Sequence, residues 1–134
     1  MQVYITARFK NAKENKNGIE KLCAAVKSAG MVDFSFIRDI ENYEKTFDNP
    51  KDLWNAALKE LEQCDALLVD VSDSPSGGRV VEVGMAYALR KPIFVVLKKG
   101  THLKEFYKGV ACLVIEYEEI EDITRPLKEY SSDH

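Results

Sequence analysis

The sequence predicts an α/β fold: a three-layer sandwich with a five-stranded, mostly parallel sheet, built as one domain over residues 1–134. Short β-rich or apolar runs alternate with amphipathic helical stretches along the chain. Residues 66–71 form a continuous apolar run, the pattern of a strand buried on both faces. Helix start and stop signals fall between the runs, and neither a repeat nor an interdomain linker interrupts them.

Val3, Tyr4 and Ile5 open the chain as a short strand. Residues 7–17 are polar and basic and read as a loop. Ile19, Leu22, Cys23 and Val26 then recur at helical spacing, and Gly30 is the stop signal. Phe34, Phe36 and Ile37 predict a second strand, followed by a charged, aromatic-bearing loop over 39–48. Asn49, Pro50 and Asp52 mark a helix start with a capping side chain, a proline in the first turn and an early acid. Trp54, Ala57, Leu58 and Leu61 give that helix one apolar face. A third strand over 66–71, a helix over about 80–89 and a fourth strand over 93–97 follow. A short helix over 103–107, a fifth strand over 112–117 and a closing helix over 120–130 complete the order. Pro126 is the weak point of the closing helix, and the final SSDH reads as frayed.

Bulk properties narrow the function. A chain of 134 residues buries roughly 65–70% of its unfolded surface and needs no covalent staples. A net charge of -3 leaves no basic footprint for a nucleic-acid polymer or an anionic membrane. No apolar run approaches the ~20 residues of a membrane span. The opening MQVYITARF lacks the pattern of a signal peptide. Cys23, Cys64 and Cys112 form an odd set without CxxC spacing, expected as reduced, mostly buried thiols in a cytoplasmic protein. His102 and His134 do not cluster with a cysteine pair, so neither a metal nor a cofactor is expected.

The chemistry concentrates in residues 65–97. In an open parallel sheet, ligands bind beyond the C-terminal ends of the strands, so the loops over 6–17, 39–48 and 72–79 are expected to line one crevice. Gly77 and Gly78 let backbone approach a ligand, and Ser72, Ser74 and Ser76 offer hydroxyls ahead of a helix N-terminus. This loop either holds a phosphate or sugar hydroxyls, or is a solvated turn. It lacks the GK[ST] ending of a P-loop.

Glu82 is read in the first turn of the helix behind the glycines. Such an acid either merely complements the helix dipole or, held ionised there, serves as a nucleophile toward an anomeric carbon. Gly84 would let this helix pack close to a strand. Tyr4, placed at the top of the first strand, either orients that carboxylate or is a core aromatic. Arg8 and Lys10 either pair with a phosphate or are solvated bases. Asp70 either binds sugar hydroxyls or caps loop N–H groups. Asp39, Asp65 and Asp73 are further candidates. A serine-hydrolase reading finds no G-x-S-x-G, and nothing specifies a flavin site.

The run VDVSDSPSGGRVVEVGMAYALRKPIFVV, with VYITARF near the start, resembles the nucleoside 2-deoxyribosyltransferase family. It is most similar to the small branch that hydrolyses the N-glycosidic bond of (deoxy)nucleoside 5′-monophosphates. The resemblance covers residues 3–97, and the run from Glu82 to Pro92 is its most specific part. It implies a flavodoxin-like or Rossmann-like fold and a nucleoside or nucleotide substrate. It implies Glu82 as the nucleophile at C1′, Tyr4 as its hydrogen-bond donor, and Ser74 or Ser76 as the phosphate-binding serine. Ala7, Arg8, Phe9 and Lys10 fall in the first loop, which contacts base or phosphate. Active sites completed by a neighbouring subunit imply a homodimer or larger assembly. The chain departs from the pattern in three places. Ala57 stands where a second acid is usual, Ala7 stands where glycine is usual, and the loop before Glu82 is one residue longer. The absent acid favours an alternative reading, a nucleotide-binding or sensing module without turnover.

Overall fold

The computed structural model describes residues 1–73 and 77–134. Five strands, β1 (Gln2–Thr6), β2 (Val32–Ser35), β3 (Ala66–Asp70), β4 (Ile93–Lys98) and β5 (Leu113–Tyr117), form one sheet in the order β2-β1-β3-β4-β5. Every neighbouring pair is parallel, beginning with Val3 opposite Ala66 and Leu67 opposite Ile93. The α-helices among the described residues are α1 (Ala12–Ser28), α2 (Pro50–Gln63), α3 (Gly77–Ala88), α4 (Glu105–Val110) and α5 (Thr124–Asp133), the last preceded by a 3₁₀ turn over Ile120–Ile123.

Strand alternation divides the core into two layers. Val3, Ile5, Leu68, Phe94 and Val96 face α1 and α5, where they meet Leu22, Val26 and Leu127. Tyr4, Leu67, Val69, Val95 and Leu97 face the opposite side, where α2, α3 and α4 supply Leu61, Val83, Ala86 and Tyr107. β2 lies on one side of β1 and β3 on the other, so the chain reverses direction of winding at β1. A crevice opens there, beyond the C-terminal strand ends.

Several boundaries differ from the expectation. α1 begins at Ala12 rather than after residue 17, because Asn11 caps it by accepting from the Glu14 amide at 2.9 Å. Its first turns are solvated and carry no apolar stripe, so periodicity could not reveal them. β2 ends at Ser35, and Phe36–Ile40 form a π-helical turn where a strand was expected. Ser35 caps that turn through Arg38 N, and Arg38 pairs with Asp33 and Asp39, both at 2.8 Å. Pro126 does not weaken α5, since it lies in the first turn, where amide donors lack helical partners anyway. The C-terminal residues continue α5 to Asp133, with Ser132 Oγ donating to the Lys128 carbonyl.

Candidate active site

The two glycines expected in a loop are the first residues of α3. Glu82 is therefore the sixth residue of the helix, in its second turn, and the helix end contributes less to its ionisation than its own hydrogen bonds. Tyr4 is at the middle of β1 and Thr6 at its top. Residues two apart on a strand share a face, so both hydroxyls point at α3. Tyr4 Oη donates to Glu82 Oε2 at 2.5 Å, and Thr6 Oγ1 donates to Glu82 Oε1 at 2.7 Å. One donor on each oxygen fixes the carboxylate plane.

Burial pushes the Glu82 carboxyl above its ordinary range. The Tyr4 and Thr6 hydrogen bonds and the Arg79 charge pull it back toward the ionised form. Burial, then the Glu82 charge, drives the Tyr4 phenol far upward, so Tyr4 stays protonated and donating.

Two adjoining cavities, of about 170 and 200 Å³, share Thr6, Ile37, Glu41, Gly78 and Glu82. The first is walled by Tyr4, Phe36, Leu53, Trp54 and Ala57. Its aromatic and aliphatic walls suit a flat heterocycle. The second opens toward Ala7, Phe9 and Arg79. The three expected loops thus meet around Glu82. A Cβ at Gly78 would sit 3.8 Å from Trp54, so the glycine leaves space in the cavity rather than relieving a clash.

Asp70, Ser72 and Arg8 line a separate cavity of about 310 Å³, with Ala7, Asn15 and Asp73. Asp70 accepts from Ser72 Oγ and from Tyr117 Oη, both at 2.6 Å, and Ser72 Oγ also accepts from Lys98 N. These groups tie β3 to β4 and β5. Arg8 is exposed and lies 3.4 Å from Asp73. Buried Arg79 donates to the Asp70 carbonyl at 2.8 Å and to Asp73 at 2.6 Å. Asp73 thus lies between two guanidinium groups, of which Arg79 also lines the second Glu82 cavity.

Phe9 packs on Tyr43, and Lys10 is exposed and lines neither cavity. Asp39 is committed to Arg38 and the Ser35 amide, which hold its carboxyl below the usual range against the opposing effect of burial. Asp65 accepts from Gln2 N at the far end of the sheet. Gly84 is exposed with open space around it, so it does not serve close packing on a strand. Ser74 and Ser76 lie outside the described residues.

Sequence reasoning missed Thr6, Glu41, Trp54 and Arg79. The alternation from Tyr4 to Thr6 was a signal for the first. Arg79 reads as one more exposed base until α3 is seen to turn it inward.

An open parallel sheet with a hydrogen-bonded carboxylate at its topological switch point defines an α/β protein with a small-ligand cleft. The chain belongs to the nucleoside 2-deoxyribosyltransferase family, whose model matches residues 3–124. Membership makes it an enzyme of glycosyl transfer or cleavage. Its fold is similar to that of the 2-deoxyribosyltransferase of Bacillus psychrosaccharolyticus, with a TM-score of 0.73 at 18% identity over 92% of this chain and 90% of that one. It is also similar to the CMP N-glycosidase BcmB of Clostridium botulinum, with a TM-score of 0.70 at 19% identity over 97% and 99% of the two chains. A conserved protein of Enterococcus faecalis V583 has a TM-score of 0.75 at 14% identity over 97% and 98%. No curated protein matches by sequence. No helix among the described residues is long and apolar enough to cross a membrane.

Proposed function

We propose that the protein cleaves the N-glycosidic bond of a nucleoside or a (deoxy)nucleoside 5′-monophosphate through a covalent Glu82 glycosyl-enzyme. The carrying observation is the Glu82 carboxylate held by Tyr4 and Thr6 inside an aromatic-walled cavity. Glu82 attacks C1′, the base departs, and water or a second base resolves the ester. The base would lie between Phe36 and Trp54. Arg8 lines the neighbouring cavity, which meets the second Glu82 cavity at Ala7, and supports a 5′-phosphate there, as do Ser74 and Ser76 by sequence. That balance favours water over a second base as acceptor.

The same reading includes a homodimer. The outer face of α3 exposes Val80, Val81 and Tyr87 at 39%, 44% and 60%, beside exposed Gly77, Gly84 and Ala88. A second copy of this chain would cover that apolar stripe.

Base release from nucleosides and their 5′-monophosphates, followed by chromatography, tests the assignment. Glu82→Gln is expected to abolish release while retaining ligand binding. Full activity in that variant would overturn the mechanism. A non-catalytic nucleotide-binding module is the alternative favoured by Ala57, which presents a methyl group in the cavity wall. It predicts thermal stabilisation by nucleotides with no base released by the native protein.

A further inference from the structure

We propose that Glu41 is the general acid–base partner of Glu82, a role that rests on the glycosyl-enzyme reading above. Breaking C1′–N drives an electron pair onto the departing nitrogen, and a nucleobase leaves far more easily when that nitrogen is protonated. Glu82 cannot supply the proton, because it must be ionised to attack. Glu41 lines both cavities that contain Glu82. Among the described residues its carboxyl makes no hydrogen bond or ion pair, so its proton is not committed elsewhere.

The remaining titratable groups around the two cavities serve other ends. Tyr4 donates to Glu82, and the Arg79 guanidinium donates to the Asp70 carbonyl and to the Asp73 carboxylate. Asp70 and Asp73 themselves line the other cavity and are engaged by Tyr117, Ser72 and the two arginines. Burial raises the Glu41 carboxyl, which favours its neutral form toward neutral pH.

The backbone holds Glu41 in place at a conformational cost. Its amide donates to the Phe36 carbonyl at 3.0 Å at the end of the π-helical turn. The next two residues, Asn42 and Tyr43, adopt φ of 50° and 61°, the left-handed region that non-glycine residues disfavour. Tyr43 is pinned by its amide to the Ile37 carbonyl at 2.8 Å and by its hydroxyl to Glu20 at 2.5 Å. Backbone strain retained beside a reactive carboxylate is characteristic of functional turns.

The steps balance. Glu82 carboxylate forms a bond to C1′ as C1′–N breaks, and the Glu41 proton goes to the base nitrogen. Water then attacks C1′, its proton returns to the Glu41 carboxylate, and Glu82 is released as carboxylate.

The test compares two leaving groups in native protein, Glu41→Gln, Glu41→Asp and Glu82→Gln. Nucleosides and their 5′-monophosphates need leaving-group protonation; the matching 4-nitrophenyl ribosides and 2-deoxyribosides, with and without a 5′-phosphate, do not. Under single-turnover conditions, Glu41→Gln is expected to slow base release by about 10²–10⁴-fold. Nitrophenolate release should stay within a few-fold of native, and the alkaline limb of the base-release pH profile should disappear. Glu41→Asp should restore part of the rate and the limb, with thermal midpoints of both variants near native. Equal loss on both leaving groups, or unchanged base release, overturns the role of Glu41 while leaving Glu82 standing if Glu82→Gln is inactive. A native protein that releases no base, or an active Glu82→Gln, overturns the underlying reading and this role with it.

Discussion

A carboxylate drawn partly out of water is costly unless hydrogen bonds replace its lost solvent. At Glu82 the replacement comes from two hydroxyls two residues apart on β1, one for each carboxylate oxygen. Removing one donor removes a cause that lowers the Glu82 pKa, so the carboxyl must rise further. The ionised form, which the proposed mechanism requires, then appears only at higher pH. Tyr4→Phe is therefore expected to shift the acid limb of the pH–rate profile upward. A hydrogen bond to a charged group contributes ~1.5–3 kcal/mol, so base release at neutral pH should fall about 10- to 100-fold. An acid limb unmoved in Tyr4→Phe would show that the phenol does not govern this ionisation. Glu82 and Tyr4 were both legible as residues. Their partner Thr6 was not singled out, because a threonine at a strand end carries no chemical signature until a carboxylate is found opposite it.

The elements show why local signals succeed in some places and fail in others. Gly30 is a helix stop by sequence, and it follows α1 with a φ of +86°. A Cβ there would meet nothing within 4 Å, so only the backbone conformation requires glycine. Gly30→Ala is expected to cost about 1 kcal/mol and lower the thermal midpoint by a few degrees without changing activity. Thermal unfolding followed by circular dichroism checks this. Gly77 and Gly78 misled for the complementary reason: glycine disfavours a helix interior, yet here the pair begins one. The π-helical turn was hidden as well. Phe36 and Ile37 have strand composition, but the Ser35 cap and the Arg38 ion pairs fold the chain inward. That bend brings Glu41 to the cavity.

At the scale of the molecule, winding in both directions from β1 places the ends of β1 and β3, the π-helical turn and α3 around one crevice. The helix on one side of that crevice has two faces with different fates: Val83 and Ala86 enter the core, while Val80, Val81 and Tyr87 face outward. If a second copy covers the outward face, the native protein should elute as a dimer, and Tyr87→Arg should elute as a monomer with little loss of thermal stability. Light scattering after size exclusion reads the mass directly; a monomeric native protein would remove the homodimer from the functional reading.

By itself the sequence determined the parallel α/β layering, the strand count and the family resemblance, which singled out Glu82 and Tyr4 as separate residues. Those follow from periodicity, capping residues and a compact motif, all of which act over a few neighbouring positions. Only the tertiary structure decided which acids share a cavity. Glu82 and Tyr4 are 78 positions apart, and the packing of α3 on the sheet face that carries Tyr4 brings them together. Parallel strand pairing turns Asp70 toward Tyr117 and away from the Glu82 cavity. Glu41 enters that cavity because the π-helical turn ends there, and the left-handed tyrosine that follows is favourable only once Glu20 and Ile37 hold it. Such contacts are selected by packing across the whole domain, so no local stretch of sequence carries their signal.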